Sequence, residues 1–216
     1  MNQIQEHRTV SLADQVFDRL ESEILSGTYA QGEILTELRL SDELGVSRTP
    51  IREALRRLEQ EHIIEFTGKG ILVLGITFDD LRDIYDIRSL VEPMAAAAAA
   101  KNSNPENITD LRDALDLQEY YVSRHNPEQI KYMDSKFHEQ VYKLSGSRVL
   151  YDTLLPLHNK VQKYRRASVS SNSRAEQSLE EHRSIFKAVE ANDAAAAAEA
   201  MKLHVGNAMR NILKED

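Results

Sequence analysis

Gly45-Val46-Ser47-Arg48-Thr49-Pro50-Ile51-Arg52-Glu53-Ala54-Leu55-Arg56-Arg57-Leu58-Glu59 decides the reading of this chain. Gly45 can end a helix with positive φ, and Ser47 suits the N-cap of the next one. Pro50 falls in the first turn, where a missing N–H costs little. Ile51, Ala54, Leu55 and Leu58 then share one face at helical spacing, while Arg48, Arg52 and Arg56 recur every four residues on another. A helix with one apolar side and one arginine side can lie on a core and reach into a DNA major groove. The pattern predicts the turn and second helix of a helix-turn-helix.

The flanking sequence extends that reading. Leu12, Val16, Leu20 and Ile24 predict a first helix over about 11–26, stopped by Gly27. Residues 28–35 read as a loop, and Thr36 can cap a second helix with Leu40 and Leu44 inward. The arginine helix spans about 47–60. Ile63-Ile64-Glu65-Phe66 and Ile71-Leu72-Val73-Leu74 are β-prone, with Thr67-Gly68-Lys69-Gly70 as the turn between them. Three helices and a β-hairpin make a winged helix, with Lys69 at the wing tip. Gly75-Ile76-Thr77 reads as a linker, and Thr77 with Asp80 as a capping box. Six helices are predicted beyond it, over about 78–101, 106–124, 127–145, 148–169, 174–191 and 193–213. The expected architecture is mainly α, with a winged-helix domain at 1–75 and an all-α antiparallel bundle at 76–216. The alanine runs Ala95–Ala100 and Ala194–Ala198 are expected where helices approach closely.

The composition limits the function. The chain has 216 residues, no cysteine and a net charge of −8, which excludes a disulfide framework, a thiolate metal site and a bulk nucleic-acid coat. Residues 1–77 carry 8 Lys and Arg against 13 Asp and Glu, so basic character is confined to the four arginines of residues 48–57. DNA binding should therefore be local and salt-dependent. Residues 1–10 lack the apolar segment of a signal peptide, and no apolar run is long enough to span a bilayer. A cytoplasmic protein with no membrane partner is expected.

These residues resemble the GntR superfamily of bacterial transcription regulators, through Gly32, Leu40-Ser41-Asp42-Glu43-Leu44-Gly45-Val46-Ser47-Arg48, Pro50-Ile51-Arg52-Glu53-Ala54-Leu55 and Leu58-Glu59. Tyr85-Asp86-Ile87-Arg88-Ser89-Leu90-Val91-Glu92 and Glu181-His182-Arg183-Ser184-Ile185 resemble its FadR-like branch, whose all-helical effector domain is called FCD. Six helices resemble the smaller VanR-type subgroup. The resemblance implies that Arg48 and Arg52 contact bases and phosphates, with Thr49 between them, and that Gly68 and Lys69 form the wing tip. Ser47 and Arg56 are further candidates. Leu38 stands where the family often has an arginine, so Arg39 is the candidate substitute; Thr67 stands where the wing often opens with a basic residue.

A second constellation lies downstream. Asp134 and His138 stack at i, i+4 on one helix. His182 shares a stripe with Leu179, Phe186 and Val189, and His204 one with Met201, Val205 and Ala208. Three histidines and a carboxylate on inward helix faces suit a divalent transition metal: zinc first, then nickel, manganese or iron. The resemblance to metal-binding FCD domains implies the same four residues. Singly, each histidine could be a satisfied core residue and Asp134 a surface charge. His7, His62 and His125 stay outside the set, and His158 reads as a surface or core residue rather than a cavity-lining one. Arg88 borders a stripe of Ile84, Ile87, Val91 and Met94. It could anchor an acidic effector beside the metal or pair with Glu92 on a solvated face. Arg165 and Arg166 could reach the same cavity or mark a charged helix end.

The leading expectation is a homodimeric regulator that reads a palindromic operator in double-stranded DNA and responds to a small carboxylate metabolite, most simply as a repressor. A metalloenzyme using the Asp/His/His/His set and a ligand-free dimerisation module are the alternatives. No further inward carboxylate stands out in the sequence, which weighs against the enzyme.

Overall fold

The computed structural model describes residues 11–167 and 172–213, with side chains for all of them except 163–167, 172 and 173. Within these residues the chain divides into two compact units, one ending at Ile76 and one beginning at Thr77. No described helix is long and apolar enough to cross a membrane.

In the first unit, α1 (Leu12–Leu25), α2 (Glu37–Leu44) and α3 (Arg48–Gln60) combine with β1 (Ile34–Leu35), β2 (Ile64–Thr67) and β3 (Gly70–Val73). The helix ends follow from local chemistry. Ser11 and Asp14 form a reciprocal capping box on α1, and Thr36 accepts from the Arg39 N–H at the start of α2. Gly45 ends α2 in the left-handed region at φ +65°, a conformation glycine adopts without a Cβ clash. Ser47 sits at the N-cap of α3 with extended backbone, but its hydroxyl makes no cap hydrogen bond. Ile51, Ala54, Leu55 and Leu58 are all buried, against Val16, Phe17, Leu20 and Ile24 of α1 and Leu35, Ile64, Ile71 and Val73 of the sheet. Leu12, expected inward, is exposed at the first turn of α1.

The sheet has one more strand than a hairpin. Its order is β1-β3-β2, and β1 adds antiparallel to β3 through Ile34↔Leu72 and Leu35↔Ile71. The stretch read as a loop thus contains a short strand. Gly70 makes this possible: a Cβ there would lie 2.7 Å from the Leu35 carbonyl oxygen. Thr67 also gains a local explanation. Its hydroxyl donates to the Gly70 carbonyl and accepts from the Lys69 N–H, which fixes the wing turn.

The second unit is helical: α4 (Phe78–Asn102), α5 (Thr109–Ser123), α6 (Pro127–Leu144), α7 (Arg148–Ala167), α8 (Asn172–Glu190) and α9 (Ala194–Leu213). The Thr77–Asp80 capping box starts α4, and Asn126 caps α6 with Pro127 behind it. The expected break at Ser168 to Ser173 falls mostly on residues 168–171, outside the described residues. Helix α4 packs against α6, α7, α8 and α9. Ala95, Ala96, Ala99 and Ala100 are buried, as close helix approach requires. The second alanine run does otherwise: only Ala197 is buried, and Ala195 and Ala196 face solvent.

The rotation of α4 corrects the sequence reading. Ile87 and Met94, expected inward, are exposed, while Tyr85, Arg88 and Glu92 are buried. Of the apolar stripe read from the sequence, Ile84 is buried and Val91 half-buried, while Ile87 and Met94 mark the outer face. The inner face runs from Leu81, Ile84 and Tyr85 through the Arg88–Glu92 pair to four alanines.

Candidate functional site

A polar core lies inside the second unit. Asp134 and His138 enter from α6, His182 and Glu181 from α8, His204 from α9, Arg88 and Glu92 from α4, Gln118 from α5, and His158 and Gln162 from α7; all are buried. His138, His182 and His204 each offer a nitrogen within 4.8 Å of the others.

Hydrogen bonding at the far side of each ring sets its tautomer. His138 Nδ1 lies 3.0 Å from Glu92 Oε2, His182 Nδ1 2.7 Å from Gln118 Oε1, and His204 Nδ1 2.7 Å from Glu181 Oε2. A carboxylate or amide oxygen only accepts, so all three Nδ1 atoms donate and the Nε2 lone pairs turn inward. His138 Nε2 and His204 Nε2 are 3.1 Å apart. Buried His182 Nε2 has no hydrogen-bond partner and lies 3.8 Å from Asp134 Oδ1. Three lone pairs beside a carboxylate, with donors locked behind them, are what a cation satisfies and what neutral imidazoles alone leave uncompensated. The donor set therefore fits a divalent metal of the nitrogen-preferring kind. Burial pushes His182 and His204 below the usual histidine range and so favours the uncharged ligand form. Phe137 stacks on His182 at 4.2 Å between ring centres and fixes that ring's plane.

A neighbouring triad, Glu92, His138 and His158, meets the same distance criterion, but a cation already occupies it. The Arg88 guanidinium donates from Nε to Glu92 Oε1 and lies 3.3 Å from His158 Nδ1 through Nη2. Burial would raise the Glu92 carboxyl; Arg88 and His138 overcome this and hold it well below the usual carboxylate range. Burial, with the charge of Arg88 beside it, keeps His158 neutral. Both readings of Arg88 meet here: the Glu92 pair exists, yet it is buried instead of solvated.

Two corrections follow. His158, read as a surface or core residue, lies 4.4 Å from the His138 ring and joins the cluster. Its signal was its place four residues after Leu154 and four before Gln162, all buried. Inward carboxylates beyond Asp134 do exist. Glu92 backs His138. Glu181 backs His204 and accepts from both terminal guanidinium nitrogens of Arg174, Nη1 and Nη2, at 2.8–2.9 Å. Burial raises Glu181, and its His204 and Arg174 bonds bring it down to about 2. Asp134 accepts from Gln162 and, at 3.4 Å, from Ser178. His62 and His125 are exposed, away from this core. His7 and the side chains of Arg165 and Arg166 lie outside the described residues.

On the first unit, Arg48, Thr49, Arg52, Arg56, Gly68, Lys69 and Ser47 are exposed. Arg52 Nε sits 2.8 Å from Glu37. Arg39 is clamped by Glu33 at 2.6 Å and Glu43 at 2.7 Å, so it must leave a carboxylate to reach a phosphate. Arg57 turns away from its neighbours, onto Asp14 at 2.6 Å and over the Phe17 ring.

Residues 12–73 match the model of the gntR family of bacterial regulatory proteins, and residues 83–207 match that of the FCD domain. The chain is 29% identical to the HTH-type transcriptional regulator YdhC of Bacillus subtilis, over 93% of this chain and 92% of that one. It is 34% identical to the gluconate operon transcriptional repressor of Bacillus licheniformis, over 56% of this chain and 50% of that one. The solved structure of Escherichia coli McbR/YncC superposes with a TM-score of 0.74 at 23% identity, over 96% and 99% of the two chains. Families and relatives alike are transcription regulators, not enzymes. The chain belongs to the FCD-bearing regulators of the GntR family.

Proposed function

We propose that the protein is a metal-dependent, homodimeric repressor whose hold on a palindromic operator is set by a small carboxylate metabolite. The observation that carries this reading is the convergence of three inward Nε2 lone pairs, each ring held from behind by an acceptor. His138, His182 and His204 would hold the metal, with Asp134 beside them. A divalent ion bound there supplies positive charge to attract an acid.

The charge balance supports this. Among the described residues of the second unit, the buried carboxylates are three (Glu92, Asp134, Glu181) and the buried guanidiniums two (Arg88, Arg174), a balance of one negative charge between these two kinds of group. A divalent cation turns that into one net positive charge, which an organic acid can offset. Arg88 would bind the acid by exchanging part of its Glu92 contact. The six described helices of the second unit accord with the VanR-type subgroup, and the relative named as a repressor supports the direction of control. Residues 1–75 would read DNA through Arg48, Thr49, Arg52 and Arg56, with Ser47, Arg39, Gly68 and Lys69 against the backbone; residues 76–216 would bind metal, acid and the second copy. The acid regulates only through different affinities for two arrangements of the dimer.

Metal content tests the site. Protein purified without a histidine tag should carry close to one equivalent of zinc or a similar ion. After chelation, zinc at about a hundred times its dissociation constant should add about 2.7 kcal/mol, raising the thermal midpoint by roughly 5–10 °C. His182→Ala should abolish the rise. Below a tenth of an equivalent, with no thermal response to zinc or nickel, the bundle would be a ligand-free dimerisation module.

A further inference from the structure

Helix α4 carries a second message on its outer face. Asp83, Ile87, Leu90, Met94, Ala97 and Lys101 fall along one line, because their spacings of three and four track a 3.6-residue turn. Asp83 and Lys101 are 18 residues apart, about five whole turns, so they point the same way from opposite ends of the stripe. Leu90 is 75% exposed, Met94 60% and Ile87 43%; Asp83 and Lys101 are exposed as well. An apolar centre with an acid at one end and a base at the other complements a copy of itself running antiparallel.

We infer that α4 of one copy crosses α4 of a second copy antiparallel, about a two-fold axis at the level of Glu92. The register follows from symmetry. In a two-fold helix pair, residues equally far from the axis in opposite directions face each other. Centred on position 92, Leu90 meets Met94 of the second copy, Ile87 meets Ala97, and Asp83 meets Lys101, each twice. The large side chains meet one another or a small one, and neither charge meets its like. Shifting the register by one turn would set Asp83 against Ala97 and lose both ion pairs. The occupant is therefore a second copy of this chain, and the placement rests on the homodimer reading above. It also places the interface on the reverse side of the helix that carries Arg88 and Glu92, so an acid drawn to Arg88 would act on the element joining the two copies.

Sedimentation velocity and light scattering on the full chain, zinc-loaded and at about 10 µM, test this. Wild type should be a dimer. Leu90→Asp with Met94→Asp should raise the dissociation constant about a hundredfold or more and leave a monomer, since buried central side chains dominate such contacts. Its zinc uptake and helical circular dichroism should be unchanged, which separates lost assembly from lost folding. The surface substitutions Asp83→Lys and Lys101→Asp should each weaken the dimer about tenfold, and the double swap should restore it to within about threefold. A monomeric wild type would overturn the homodimer reading itself. A dimer that survives Leu90→Asp/Met94→Asp would leave that reading standing and move the interface elsewhere. Charge variants that neither weaken nor rescue would overturn the register.

Discussion

The two units treat charge in opposite ways. In the first, arginines lie on the surface: Arg52 beside Glu37, Arg39 between Glu33 and Glu43, Arg48 and Arg56 exposed, with an apolar core beneath. In the second, apolar side chains lie outside on α4, while Arg88, Glu92, Asp134, Arg174, Glu181 and four histidines lie inside. A surface pair is a mobile, screened charge that can be surrendered to a phosphate. A buried set has no solvent to fall back on, so every member must be matched by another. Apart from Glu21, buried on α1, the first unit keeps its charges at the surface; the second holds a charged set in fixed positions around three inward lone pairs.

Breaking one pair in each unit should expose that difference. Glu92→Leu leaves the Arg88 guanidinium buried without its carboxylate and frees His138 Nδ1 from its acceptor. It should cost about 3–5 kcal/mol in urea unfolding of the second unit. Adding Arg88→Met should recover much of that loss, because two matched apolar groups replace an unmatched charge. If the single variant costs no more than a surface pair does, the contrast between the units fails. A milder probe is Glu181→Gln. It keeps an acceptor near His204 Nδ1 but removes the charge that Arg174 and His204 share, and should weaken zinc about 10- to 100-fold by titration calorimetry. Unchanged affinity would mean that Glu181 serves packing alone.

The first unit was largely legible because its signals are local. Helix caps, the positive φ at Gly45 and the turn at Gly68-Lys69 are each set by a few adjacent residues, and the core is apolar where the periodicity is apolar. Strand β1 escaped because two residues carry no period; its signal was the need for glycine at position 70, a contact with Leu35 across the sheet. In the bundle, the histidine faces of α8 and α9 were read correctly since these histidines share stripes with Leu179, Val189, Met201 and Val205. Helix α4 was rotated wrongly because apolarity marks the inner face only when the core is apolar. Here the core is charged beyond Ile84, so Ile87 and Met94 turned outward and Glu92 inward. Gln118 and Gln162 gave no warning: a glutamine at helical spacing looks the same on a wet face as behind a histidine.

The smallest effects belong on the surface of the first unit. Arg48→Ala and Arg52→Ala should each weaken operator binding by about 1–3 kcal/mol, and a lost phosphate contact should also lower the salt slope by about one. Tight binding by the double variant to its own upstream DNA would refute the role given to that helix. Glu37→Gln offers the finest comparison. Arg52 Nε lies 2.8 Å from Glu37, so in the free protein the guanidinium that should face DNA is partly engaged. Removing the carboxylate should change folding stability by under about 1 kcal/mol, since the pair is exposed, yet tighten DNA binding severalfold at low salt, because Arg52 no longer has a partner to leave. In gel shifts the gain should shrink as salt rises. A loss of affinity would mean instead that Glu37 aims Arg52 at the groove, and that even the surface pairs of this unit are held for a purpose.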